Sequence, residues 1–482
     1  MPDILSLDAT GQLAALESRR VSAVELLEAS VARYEMVNPQ LNAVVRTDLD
    51  HARARARAID VQREAGDHLG LLAGLPMTVK DSLDVDGMPA SSGVKALLDR
   101  PARDAAVVSL VKAQGAVVWG KTNVPVMTAD WQSYNRLYGT TNNPWDLSRA
   151  PGGSSGGAAA ALAAGITALE IGSDIGGSLR VPAAFCGVFS HKPTYGVVSQ
   201  RGHVPPAPGS VAERDLNVIG PMARSARDLR LLLSVLEDGP LAAKAPPAEL
   251  RGLRVGLWLD EPAFPLDPEV RGVVAAFAQA LGGLGSEVEP VRPLDAPTLL
   301  GVYRLLLAAA MAPDLPAGQR AAMERMRGVA KLAQRISGGN AGWASQSLAY
   351  TVSHLDWLAA NEARARFGQQ LRGVFDRHDV LIAPVAPVAA FPHDHAPFLR
   401  RRLQLSDGRQ IPYGSMLNWI SMATACGLPV TTFPAGPTPG GLPVGVQIIG
   451  PRGGDARTLA VALAIEEALG GFVPPPPLPA AK

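Results

Sequence analysis

Two serines set in glycine are the residues of this chain best placed to do chemistry. They lie in Gly152-Gly153-Ser154-Ser155-Gly156-Gly157 and in Asp174-Ile175-Gly176-Gly177-Ser178, with Ser154 and Ser178 24 residues apart. Glycine reaches positive φ and lets a substrate come close to the backbone. Successive amide N–H groups around such a turn can converge on an anion. A serine hydroxyl beside free amides suits attack on a carbonyl carbon, the amides holding the oxyanion that forms. Glycine–serine runs are more often loops or linkers. Here, however, an alanine-rich segment of good helix propensity joins the two turns, and the second runs straight into Leu179-Arg180-Val181-Pro182. Pattern alone leaves both an acyl-transfer site and a structural turn open.

Other residues compete for attention. Lys80 ends the apolar run Met77-Thr78-Val79. Most lysines are solvated, but one at the end of a buried strand loses hydration, which lowers its pKa and can make it a base. Gly115 to Thr122 matches the phosphate-binding pattern G-x-x-x-x-G-K-T literally, which raises a nucleotide-binding protein as a rival. That motif needs a strand before the first glycine and a loop across the x positions. Here Ala106 to Gln114 reads as a helix and Ala116-Val117-Val118-Trp119 as the strand, so the rival is set aside. His191 invites a Ser-His-Asp triad but has no triad context, and reads as structural. His393, Asp394 and His395 lie in a proline-rich loop without ligand spacing, so no metal is expected. Thr128, Asp130, Trp131, Gln132, Tyr134 and Tyr138 are packing residues or the wall of a pocket.

The elements that must position these residues alternate between helix and short buried strand, which argues for an α/β fold. Residues 5–35 read as two amphipathic helices, the second opened by a capping box of Ser22 and Glu25. Leu49 to Arg63 reads as an exposed helix, Arg254 to Leu259 as a buried strand, and Val380 to Val388 as a strand broken by proline. Met311, Met323 and Met326 read as core filling. With 47% apolar residues the 482-residue chain has ample material for a large core. A net charge of +1 offers no basic stripe for nucleic acid. Cys186 and Cys426 are too few for a disulfide framework and read as buried small hydrophobes. The N-terminus shows no basic-then-apolar leader, and no run of 18 apolar residues occurs, so a cytoplasmic enzyme without a membrane span is expected.

The stretch from Pro151 to Pro182 resembles the signature of the amidase signature family of serine hydrolases. GGSSGG, a helix of small residues and Asp-x-Gly-Gly-Ser-x-Arg-x-Pro-Ala occur in the family's order and spacing. Likeness extends from about Gly74 to Val197 and from Asn418 to Gly450. The resemblance implies one large mixed β-sheet covered by helices on both faces. It implies Ser178 as nucleophile, Ser154 as proton relay in a cis peptide, and Lys80 as general base. It also implies an oxyanion hole of the Ile175, Gly176, Gly177 and Ser178 amides, with Thr128 and Ser154 meeting the substrate. Val126 stands where the family often has glutamate, which removes a polar contact. Asp174, Ser155 and Arg180 would brace the loops. The expected chain is a single domain over 1–482, with a variable cap at 238–396 and a disordered proline-rich tail at 474–482. Its expected partner is a small-molecule amide, without cofactor, metal, nucleic acid or membrane. Oligomeric state stays open, a homodimer included. The main reading is a stand-alone amidase, acting also on aryl esters, anilides or carbamates. The alternative is the amidase subunit of a transamidating complex, although Asp174 to Gly177 and Asp130 to Gln132 look more like stand-alone members.

Overall fold

The computed structural model describes residues 4–237, 247–336 and 342–478. Among the described residues eight strands form the main sheet in the order Glu287–Pro290, Arg254–Leu257, Val380–Pro384, Pro443–Ile449, Val430–Pro437, Phe189–Lys192, Val218–Ala223 and Leu169–Asp174. The first three run parallel and the remaining pairs antiparallel, so the sheet is mixed. Helices cover both faces. Thr431 bonds Thr458 of the helix Asp455–Leu469 at 3.1 Å. On the opposite face a Cβ at Gly445, beside Thr432, would stand 2.7 Å from Ala184 of the helix Arg180–Cys186. Alternating side chains of central strands buried on both faces must all be apolar or hydrogen-bonded, which is why these strands read as continuous apolar runs.

A second sheet, Val44–Thr47, Val117–Thr122 and Pro76–Lys80, lies against the outer strand Leu169–Asp174. Thr78 stitches the two together, its hydroxyl donating to Glu170 Oε1 at 2.5 Å. Lys80 and Asp174 thus end two neighbouring strands. This arrangement also disposes of the phosphate-loop match. Ala106–Ala113 is a helix and Val117–Thr122 a strand. Lys121 is fully buried, donating to the Leu83 carbonyl beside Asp81.

The stretch expected as a cap, of which residues 238–246 and 337–341 lie outside the described residues, supplies part of the main sheet. Arg254–Leu257, Glu287–Pro290 and Val380–Pro384 from it are strands of the main sheet. Its helices between Ala296 and Phe375 lie outside that sheet. Parallel pairing needs long crossovers, so no local signal in these strands marks their neighbours. The helix Ala296–Met311, continued to Asp314, is long and apolar enough to cross a membrane by length and composition. Its apolar side is packed in the core, with Tyr303 fully buried. Met311 packs against the core, whereas Met326 is exposed, so core filling accounts for only part of the methionine cluster. At the other end, residues 474–478 run without helix or strand, with Leu478 against the core. Residues 479–482 of the expected tail lie outside the described residues.

Local signals otherwise translate directly. Ser22 caps the helix Ala23–Leu41, accepting from the Glu25 amide at 3.1 Å, while Glu25 accepts from the Ser22 amide at 2.8 Å. Cys186 and Cys426 are buried and unpaired. His191 bridges Thr431 and Asp455 at 3.0 and 3.1 Å inside the sheet–helix layer, a structural tie in which neither ring nitrogen meets a serine hydroxyl among the described residues.

Candidate active site

The first serine turn is held by close approach. A Cβ at Gly153 would stand 2.5 Å from the Asp130 carbonyl oxygen, and one at Gly157 would run into the Asn123 backbone. No other residue type fits under this loop. The Gly153–Ser154 peptide is cis. Ser133 Oγ donates to the Gly152 carbonyl at 3.2 Å and accepts from the Gly156 amide at 3.0 Å, tying both sides of the turn. The buried helix Gly156–Ala163 then carries the chain to the strand Leu169–Asp174.

Lys80 is wholly buried and its Nζ is hydrogen-bonded to Ser154 Oγ at 2.8 Å. The same amine lies 2.9 Å from Ser173 Oγ and 3.5 Å from the Ser173 carbonyl. Burial drives its pKa down to about 7, against the opposing pull of Asp174 and Glu170. A lysine in that state is half neutral near neutral pH and has a lone pair to offer.

The second turn bends at Gly177, whose φ of +91° suits glycine. Its braces are fully buried. Asp174 accepts from the Gly177 and Leu179 amides at 2.9 and 3.1 Å. It also receives both arms of Arg180 at 2.9 and 3.0 Å. Arg180 reaches on to the Ile420 carbonyl, Gln447 and Thr424 at 3.1, 2.8 and 2.6 Å. Burial alone would raise the Asp174 pKa, but the Arg180 guanidinium, Lys192 and the amides outweigh it and hold the carboxyl at about 2. Two further donors aim the turn. Tyr303 OH binds the Ile175 carbonyl at 2.8 Å, and Trp131 Nε1 binds the Gly176 carbonyl at 2.7 Å. With carbonyls 175 and 176 turned outward, the amides of Ile175, Gly176 and Ser178 have no partner among the described residues. The Gly177 amide is the exception among the four expected donors, because Asp174 already uses it.

Ser178 itself is 6% exposed, and its carbonyl accepts from the Ser155 amide at 3.3 Å, which joins the two serine turns. Its hydroxyl forms no hydrogen bond among the described residues. Such bonds are commonly long until substrate is bound. Thr128 sits in a left-handed turn at φ 54°, ahead of Asp130 and Trp131. Among the described residues no hydrogen bond joins it to Lys80, Ser154 or Ser178. Around the second turn stand Trp131, Tyr303, Leu417 and Ile420. The loop carrying Trp131 is fixed by Arg401, which binds Asp130 Oδ2 at 2.6 Å and Tyr134 OH at 2.7 Å, while Tyr413 binds Asp130 Oδ1 at 2.7 Å. His395 stacks on Tyr134 with ring centroids 3.9 Å apart.

The Amidase family model matches residues 25–459. The chain belongs to the Amidase family. The match runs through the middle stretch as well as the two regions of sequence likeness. The A-type subunit of glutamyl-tRNA(Gln) amidotransferase from Cyanothece sp. is 33% identical, covering 94% of this chain and 96% of its own. A solved structure of an amidase superposes with a TM-score of 0.80 at 29% identity, over 96% of this chain and all of that one. A bacterial aryl acylamidase of the amidase signature enzymes superposes with a TM-score of 0.78 at 25% identity, over 96% of each chain. This amidase-family chain therefore has amidase signature relatives of two kinds, hydrolytic enzymes and amidotransferase subunits.

Sequence reasoning missed three participants. Ser173 sits one place before Asp174, and the strand alternation that buries it toward Lys80 was available as a signal. Tyr303 and His203, the latter 2.9 Å from Ser173 Oγ, come from distant segments and carry no spacing signal.

Proposed function

We propose that the chain hydrolyses carboxylic amides through an acyl-enzyme on Ser178. The observation that carries this reading is the 2.8 Å hydrogen bond between Ser154 Oγ and the amine of a fully buried Lys80. A serine hydroxyl attacks poorly unless something accepts its proton. In this scheme Ser178 Oγ bonds to the amide carbon and passes its proton to Ser154 Oγ, whose own proton moves to neutral Lys80. The carbonyl oxygen becomes an oxyanion and accepts from the unpartnered amides of Ile175, Gly176 and Ser178. The intermediate collapses, the C–N bond breaks, and the leaving nitrogen takes a proton from Ser154 as Lys80 returns the one it held. Water then attacks the ester carbon with the same relay as base, releasing acid and restoring Ser178. Arg180 and Asp174 hold the turn; Thr128, on the loop leading to Trp131, is assigned a substrate contact.

The carbon walls around the turn support uncharged, bulky acyl or amine groups. Asp130 and Arg401, the charged pair nearest Trp131, are spent on each other, which leaves them poor partners for a charged substrate end. The second reading, the amidase subunit of a transamidating complex, has in its favour the 33% identity to a glutamyl-tRNA(Gln) amidotransferase component. The two separate cleanly. The isolated chain, run by gel filtration, should hydrolyse a simple aryl amide and be labelled by a fluorophosphonate at Ser178, with Ser178→Ala unlabelled. A chain that is labelled but turns over amides only when a partner is added supports the second reading. Labelling elsewhere than Ser178 sinks both.

A further inference from the structure

Four groups line up behind the proposed base, and only one orientation of their hydrogens satisfies them all. His203 is buried, with Nδ1 2.7 Å from the Pro205 carbonyl and Nε2 2.9 Å from Ser173 Oγ. A carbonyl only accepts, so Nδ1 carries the hydrogen. Burial, reinforced by the positive charges of Lys80 and Arg214, pushes the imidazole pKa down to about 3, so the ring holds no second proton and Nε2 is a bare acceptor. Ser173 must then donate its one hydroxyl hydrogen to Nε2. Its oxygen is left to accept from Lys80 at 2.9 Å, and the Ser173 carbonyl at 3.5 Å is likewise an acceptor. Both N–H bonds of a neutral amine are thereby claimed on the Ser173 side. Its lone pair is left for the Ser154 hydroxyl at 2.8 Å.

We infer that His203 is a positioning residue which, through Ser173, sets the direction of this hydrogen-bond chain so that Lys80 keeps its lone pair for Ser154. Without an acceptor at Nε2, the Ser173 hydroxyl is free to donate to the amine itself and competes with Ser154 for the same lone pair. The backbone that presents the ring is stitched to the segment following Lys80. The Val204 amide donates to the Ser82 carbonyl at 2.7 Å, and Ser92 Oγ donates to the Val204 carbonyl at 2.6 Å. The imidazole is therefore held in place from the same side as the base it serves.

This inference rests on the acyl-enzyme reading, and its test is built to fail separately. Glutamine at position 203 can reach Ser173 with an acceptor oxygen. Asparagine can keep the Pro205 contact but falls short of Ser173. His203→Asn should lower kcat on the order of tenfold, the worth of one hydrogen bond, with KM unchanged. His203→Gln should retain most of the rate. In a Ser173→Ala background His203→Asn should cost nothing further, because the intermediary is gone. Equal losses in Asn and Gln, or an undiminished Asn loss in the Ser173→Ala background, overturn the inference and leave a packing role. Should His203→Asn fail to fold, ¹⁵N-histidine NMR of the unaltered protein reads the ring directly. A neutral, Nδ1-protonated ring across pH 6 to 9 is required, and an Nε2-protonated or charged ring refutes the inference. Lys80→Ala run in parallel tells the two failures apart: if it stays active, the acyl-enzyme relay itself is wrong.

Discussion

Replacing Lys80 by alanine should lower kcat by at least about 10³-fold, and Ser178→Ala should do the same. The reason is that the proposed relay runs through the three side chains in series. Ser178 is assigned Ser154 as the acceptor of its proton, and the amine lies 2.8 Å from the Ser154 hydroxyl. Removing any one link stops the transfer, so Lys80→Ala combined with Ser178→Ala should be no slower than either alone. KM should change little, since the amine lies behind Ser154 and touches Ser173, not the substrate. Steady-state kinetics on an aryl amide, with circular dichroism to check the fold, make the measurement. A Lys80→Ala enzyme keeping most of its activity between pH 7 and 8 would falsify the relay.

Arg180→Met should be the costliest change to stability near the site. It would leave the Asp174 carboxylate buried with its main cationic partner gone, and breaking a buried pair in that way costs about 3–5 kcal/mol. Arg180→Met combined with Asp174→Asn should recover part of the loss, because the uncompensated charge is then removed. The pH dependence follows from the sign of the shift. The Asp174 carboxyl titrates at about 2 in the fold against 3.8 for the free side chain. Its contribution is therefore present above about pH 4 and lost as pH falls through 2. Denaturant unfolding at pH 7 gives the numbers, and a loss under about 1 kcal/mol in the single variant would show that the pair is not what holds the turn.

How much of this was readable in advance depends on whether a residue's job is local. The glycines of the first turn announced it because close approach under the Asp130–Ser133 loop admits nothing larger. Ser22 with Glu25 announced a helix start because both halves of the cap lie within one turn. The phosphate-loop match failed on equally local grounds, a helix and a strand where a strand and a loop were needed. Arg254 to Leu257 was legible as a strand, but not as the neighbour of Val380 to Pro384, since that pairing is closed across a crossover of more than a hundred residues. Likewise the Gly177 amide reads from sequence as an oxyanion donor, whereas the fold gives it to Asp174. His203 and Tyr303 could not be found at all without the fold, because what they do is fixed by one contact each across long stretches of chain.

In the proposed mechanism a neutral Lys80, acting through Ser154, makes Ser178 reactive. The rate at which a fluorophosphonate labels Ser178, followed from pH 5 to 9, tests it without waiting on any particular substrate. In the unaltered protein the rate should rise about tenfold per pH unit at the acid end and level off above a midpoint near 7, the value to which burial brings Lys80. In Lys80→Ala it should be slow and flat. The same rising profile in Lys80→Ala would assign the proton acceptor to another group and contradict the mechanism.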